Sequence, residues 1–197
     1  LSSKAEKNKT YTSEQEKEIF EYLEKNDPLL LLYIKFISFN FLRPVEVNRL
    51  LVKSINLKEK KLSVKTKTNK LKTKIIPDIL LQELPDLSQL NQDNYLFTPN
   101  GLGLEWVAEE NNRRDSFSKR FKTVIKDHFN LGSEYGLYSF RHTFITKLYR
   151  NLRENKSPHE TKGILMNITG HVTMDALEKY LRDIDAELPE DYSNLIR

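Results

Sequence analysis

SINLKEKKLSVKTKTNKLKTKII, residues 54–76, is the stretch in which the periodicity of this chain changes. On either side apolar residues recur at helical spacing. Here Ile55/Leu57, Leu62/Val64 and Ile75/Ile76 form short apolar pairs separated by polar turns, which predicts a three-stranded antiparallel sheet. Between Lys58 and Lys74 stand eight lysines and one acid, Glu59. Alone, such a run is a solvated face; interleaved with β-branched residues in a hairpin, it can track a phosphate backbone.

Working outward, the flanks are helical. Thr12-Ser-Glu-Gln15 has capping-box form, with Ile19, Phe20 and Leu23 behind it. Asp27-Pro28 signals a second start, leading into an apolar helix from Leu29 to about Phe41. Pro44 opens another directly after Arg43, so Arg43 is expected beside unpaired backbone N–H groups, a seat for a phosphate. Downstream, a short helix is expected over Asp78 to Leu84 and a short extended segment over Tyr95 to Phe97. Further helices are expected from Phe117 to about Asn130, from Ser139 to Asn151, from Pro158 to about Met166, and from a cap at Thr173 through Tyr180. The reading is an α+β fold, mostly helical, with a small three-stranded antiparallel sheet.

At 197 residues the chain is long enough for one well-buried domain. Leu1 stands where an initiator methionine would, so we expect a fragment. Residues 1–10 are polar and unpatterned and read as an interdomain linker. There is no cysteine, hence no disulfide framework or thiolate metal site, which suits a cytoplasmic protein. Histidines at 128, 142, 159 and 171 show no zinc spacing, and no Asp-rich loop is present; neither metal nor cofactor is implied. The longest apolar run, Leu29 to Tyr33, is far below the roughly 20 residues that span a bilayer, so no membrane association is expected. The net charge of +4 is modest, but it is concentrated in the lysine run, while Asp183, Asp185, Glu187, Glu190 and Asp191 reverse the balance near the C-terminus.

Set in order, Arg43-Pro-Val-Glu46, Thr66-Lys67-Thr-Asn-Lys70, Tyr138-Ser-Phe-Arg141-His142, Gly170-His171, and a tyrosine nine positions later at 180 resemble the catalytic domain of the tyrosine recombinases, or phage-type integrases. That family's pattern is Arg, Lys, His-x-x-Arg, Gly-His, Tyr, and the match covers most of the chain. The resemblance implies a site-specific DNA recombinase that cleaves and rejoins double-stranded DNA through a 3′-phosphotyrosine link, without metal, to integrate or excise a mobile element. It also implies that residues 1–10 link to a missing upstream DNA-binding domain, that 11–183 are the catalytic domain, and that the protein is a homotetramer on DNA, with the C-terminal tail 184–197 packing in trans, and it allows a monomer in the absence of DNA.

The resemblance carries roles residue by residue. Arg43 and Arg141 would clamp the non-bridging oxygens, since a guanidinium stays charged and offers a planar fork. Lys67 would be the general acid for the leaving 5′-oxygen, with Lys65 and Lys70 as rivals; Lys65, Lys70 and Lys72 would contact DNA. His171 would hydrogen-bond the phosphate and Tyr180 would attack it. Glu46 would orient Arg43 or simply favour the helix start, two readings of equal weight, and His142 would support the site by packing. One position departs from the pattern: Tyr138 occupies the first histidine's slot. An unperturbed tyrosine titrates near ~10, so Tyr138 is expected to hydrogen-bond rather than act as the base. The same chemistry would serve a topoisomerase, and a DNA-binding module with a decayed site is the reading from another class.

Overall fold

The computed structural model describes residues 8–66, 70–189, 191 and 193–196. The chain divides into two compact units, Leu1–Thr143 and Phe144–Arg197, with the division falling inside the stretch 11–183 that the sequence treats as one domain.

The first unit is built around one helix. α1 (Ser13–Asn26) starts at the Thr12 capping box, in which Thr12 Oγ1 accepts from Gln15 N at 3.1 Å and Gln15 Oε1 from Thr12 N at 3.0 Å. α2 (Pro28–Phe39) is capped by Asp27, which accepts from Leu30 N at 3.0 Å. Because its apolar residues are not confined to one stripe, α2 is buried nearly all round and packs on α1, α3 (Pro44–Val47), α4 (Asp78–Leu81) and α5 (Glu110–Phe121). Arg120 of α5 forks onto the buried Asp27 carboxylate at 2.6 and 2.7 Å, a charge-assisted pair that ties α5 to the start of α2. Tyr33 stacks on Phe117 with ring centroids 4.3 Å apart, and its hydroxyl lies 3.1 Å from both Pro44 O and Asn48 Oδ1. α3 is thereby pinned to the core.

α2 stops at Phe39, two residues short of expectation. The sheet claims its end: Asn40 Nδ2 donates to Ile75 O at 2.6 Å, and Lys74 Nζ donates to Asn40 O at 2.5 Å. Phe41 then takes a left-handed conformation, φ +53°, which is rare for a bulky residue and redirects the chain into Arg43.

The expected sheet is present, in the order β1 (Ile55–Asn56), β2 (Lys61–Lys65), β3 (Leu71–Ile75), all antiparallel. Its faces are not those the pattern suggests. Leu62 pairs with Lys74 and Val64 with Lys72, so the two lysines share the inner face with two buried aliphatic residues. Leu71 and Ile75 point outward, 69% and 73% exposed, and Ile76 beyond the strand is the buried one. Lys67, with residues 68 and 69, lies outside the described residues.

Other boundaries move as well. β4 (Phe97–Thr98) pairs with β5 (Gly101–Leu102). α5 begins at Glu110, well before Phe117, and runs into a π-helical turn over Lys122–Lys126. α6 spans Leu137–Arg153, and the division between units falls within it.

In the second unit α7 (Pro158–Thr169) packs on α8 (Met174–Asp183) through buried Leu165, Leu177 and Leu181. Gly170 ends α7 in the left-handed region at φ +78°, and Thr173 caps α8 by accepting from Ala176 N at 3.2 Å. Lys162 bridges Glu178 at 3.3 Å and Glu187 at 2.7 Å. Tyr149 Oη lies 3.3 Å from Glu187 and Ala186 is buried, so the packing of this unit extends past Asp183 into the segment read as a tail. Among the described residues no helix is long and apolar enough to cross a membrane, and no group of three or more His, Asp or Glu could hold a metal ion.

Candidate active site

Arg43 is the extended residue before α3. Buried Glu46 reaches back to it twice, accepting from its backbone N at 2.8 Å and from its Nη1 at 3.1 Å. The carboxylate therefore holds the guanidinium as well as the helix start. α3 is a single turn, so the helix itself adds little end charge. It stops there because the following residues pair with another segment: Leu96 N donates to Leu50 O at 2.8 Å and Val52 N to Asn94 O at 2.9 Å. The positive charge at this point is that of the Arg43 side chain.

Since α6 begins at Leu137, Tyr138, Arg141 and His142 lie one turn apart on a single face. Arg141 is 1% exposed, the largest fully buried side chain among the described residues. Burial works against the Arg43 charge, but the neighbouring Tyr138 and Glu46 outweigh it and hold the guanidinium above its ordinary value. From the inner face of the sheet come Lys72 and Lys74. Burial lowers both, aided by Arg43 and Arg141 and opposed by Glu46, and Lys74 is pushed down to about 7. Four cationic side chains thus gather here, with the Glu46 carboxylate acting on Arg43, Lys72 and Lys74. Such a cluster is costly to bury without an anion and is relieved by one.

His142 packs against Tyr138, ring centroids 5.3 Å apart, and burial beside the Arg141 charge lowers it from 6.5 to about 4. Below about 6.5 the unfolded chain takes up a proton that the native ring refuses until about 4. Stability should therefore fall as pH drops through that window, by roughly 3 kcal/mol from this group. Denaturant unfolding at pH 7 and pH 4 should show the loss in wild type and a smaller one in His142→Gln.

Lys65, at the end of β2, and Lys70, just before β3, are exposed. Thr66, the residue before Lys67, is gripped from below: Arg49 donates Nη1 to Thr66 O at 2.6 Å and is itself held by Glu110 at 2.5 Å.

The second unit carries the other two residues. His171 follows the left-handed Gly170 directly, which turns its ring back toward α7, where Nδ1 lies 2.6 Å from Thr169 Oγ1. Thr169 Oγ1 also donates to Leu165 O at 2.8 Å. The His171 and Tyr180 rings are 4.9 Å apart, inclined at 44°. Tyr180 is half-buried on α8, next to the buried Leu181 that anchors the helix.

Two residues escaped the sequence reading. Lys74 was visible in principle, because it alternates with Lys72 along β3, but Ile75 beside it looked like the core position. Thr169 gave no signal beyond standing two places before His171.

The architecture is that of tyrosine recombinase catalytic domains. Similar solved chains include a Tn1549 transposon integrase in complex with a circular intermediate DNA (14% identity, TM-score 0.67, covering 100% of this chain and 66% of that one) and XerA recombinase (15%, 0.64, 92% and 61%). The catalytic domain of bacteriophage HP1 integrase is a third (15%, 0.56, 91% and 90%). This chain spans 50–66% of the length of the Xer and Tn1549 chains. Residues 9–186 match the phage integrase family, and the chain belongs to it. Comparison with curated proteins gives no match.

Proposed function

We propose that this chain is the catalytic part of a site-specific DNA recombinase that integrates or excises a mobile element. The observation that carries the reading is the gathering of Arg43, Lys72, Lys74 and the buried Arg141, with Glu46 acting on the first three, a charge arrangement suited to a phosphodiester. Arg43 and Arg141 neutralise the non-bridging oxygens as charge builds on them. Tyr180 Oη attacks phosphorus, the bond to the 5′-oxygen breaks, and Lys67 supplies the proton that oxygen needs. The products are a 3′-phosphotyrosine and a free 5′-hydroxyl, so the bond energy is kept for rejoining and the exchange is split into two reversible steps. Double-stranded DNA is the partner, bound by a homotetramer, and residues beyond Glu187 are the part left to pack on a neighbouring copy.

The test is covalent capture: full-length protein, in buffer with a chelator, is offered a pool of nicked random-sequence duplexes, and the DNA-linked peptide is identified by mass spectrometry. Linkage at Tyr180 is expected. Strand exchange between two marked copies of the captured duplex then separates a recombinase from a topoisomerase.

Tyr138 orients Arg43 in this reading. Tyr138→Phe should slow single-turnover cleavage by about 1–3 kcal/mol of barrier, through the hydrogen bond it strands. Tyr138→His should be tolerated. Complete inactivity of the phenylalanine variant would make Tyr138 essential to the chemistry.

A further inference from the structure

The tyrosine at position 138 leaves a question that the second unit answers: where the Tyr180 proton goes. We infer that Thr169 is a positioning residue that fixes His171 as the Nδ1–H tautomer, so that Nε2 is the base for the Tyr180 hydroxyl. The inference rests on the recombinase reading and on Tyr180 as its nucleophile.

A threonine hydroxyl has one proton and two lone pairs. Thr169, in the last turn of α7 and almost fully buried, points that proton at Leu165 O, 2.8 Å away. Its oxygen can then only accept from the neighbour on its other side, His171 Nδ1 at 2.6 Å. Nδ1 must therefore carry the hydrogen, and in the neutral ring the lone pair is on Nε2. Gly170 makes the arrangement possible, since its left-handed backbone folds His171 back over the end of the helix that holds Thr169.

The proton balance follows. As Tyr180 Oη bonds to phosphorus, its O–H bond breaks and the proton passes to His171 Nε2. The ring becomes an imidazolium, its Nδ1–H still on Thr169, and its new Nε2–H can donate to a phosphate oxygen. A single histidine then fills both the base role and the phosphate contact expected of it from sequence. On rejoining, the same proton returns to Tyr180.

The decisive measurement is spectroscopic and needs no DNA. In full-length protein with ¹⁵N-labelled histidine, the neutral His171 ring should show an unprotonated Nε2 and a protonated Nδ1, the signals being assigned by their loss in His171→Gln. Thr169→Val, which keeps the shape and removes the hydroxyl, should mix the tautomers and slow adduct formation roughly tenfold or more. Thr169→Ser, which keeps the hydroxyl, should restore both. A wild-type ring protonated at Nε2, or a Thr169→Val protein that forms the adduct at the wild-type rate, overturns the inference while leaving the recombinase reading intact. Should Thr169→Val fail to fold, the wild-type spectrum and Thr169→Ser still decide. Linkage of DNA at a residue other than Tyr180 defeats the recombinase assignment and the base role together, whatever the spectrum shows.

Discussion

Tyr180→Phe should abolish the covalent protein–DNA adduct, lowering its rate by roughly 10⁴-fold or more, while noncovalent DNA binding and folding stay near wild type. The hydroxyl is the only group removed, and the ring remains against His171 with its centroid 4.9 Å away. α8 should be indifferent to the change, because its anchors are Leu177 and Leu181, both fully buried. Gel-shift affinity and thermal unfolding of the variant would establish that binding and fold are kept, and denaturing electrophoresis on a nicked duplex would read the adduct. Persistence of the adduct in this variant would remove Tyr180 from the chemistry.

Arg141→Ala and Arg43→Ala should each slow cleavage by about 10²–10³-fold and weaken DNA binding far less, because the charge they meet grows toward the transition state. The two should differ in their effect on the protein. Arg141 is buried and is the leading charged neighbour that holds Lys74 down, so its loss should bring Lys74 back up from about 7. Arg43 is half-buried and shared between Tyr138 and Glu46, so its loss leaves Glu46 without its closest cation. Single-turnover rates at saturating protein, with equilibrium binding measured separately, would show the split; a defect wholly in binding would make both residues backbone contacts.

The element order was legible where helix starts carry a chemical signature, Thr12 with Gln15, Asp27 with Pro28, and Thr173, and each is found capping its helix. Boundaries failed where another segment competes for the chain. α2 ends early because β3 takes the hydrogen bonds of Asn40, and α3 is one turn because Leu50 and Val52 pair with 94–96. The faces of β3 were not legible for a different reason. Alternation fixes which residues share a side but not which side is inward, and apolar residues are the usual choice for the core. Here the buried Arg141, with the half-buried Arg43 and Glu46, makes the inner side polar, and the lysines go with it. The candidate residues themselves were legible from motif order, while Thr169 was not, because its part depends on the direction of one hydroxyl proton.

That inverted strand places stability and activity in opposition. The cheapest way to firm up the sheet would be to replace Lys72 and Lys74 by isoleucine or valine, completing an aliphatic layer with Leu62 and Val64 and removing amines whose burial is unfavourable. On the proposed function, each such replacement would strip charge from the group that meets the phosphate. Selection for robustness alone would thus erode the enzyme at these two positions, whereas Leu71 and Ile75 on the outer side can drift at little cost to either property. Any effort to harden this protein should begin on that outer face.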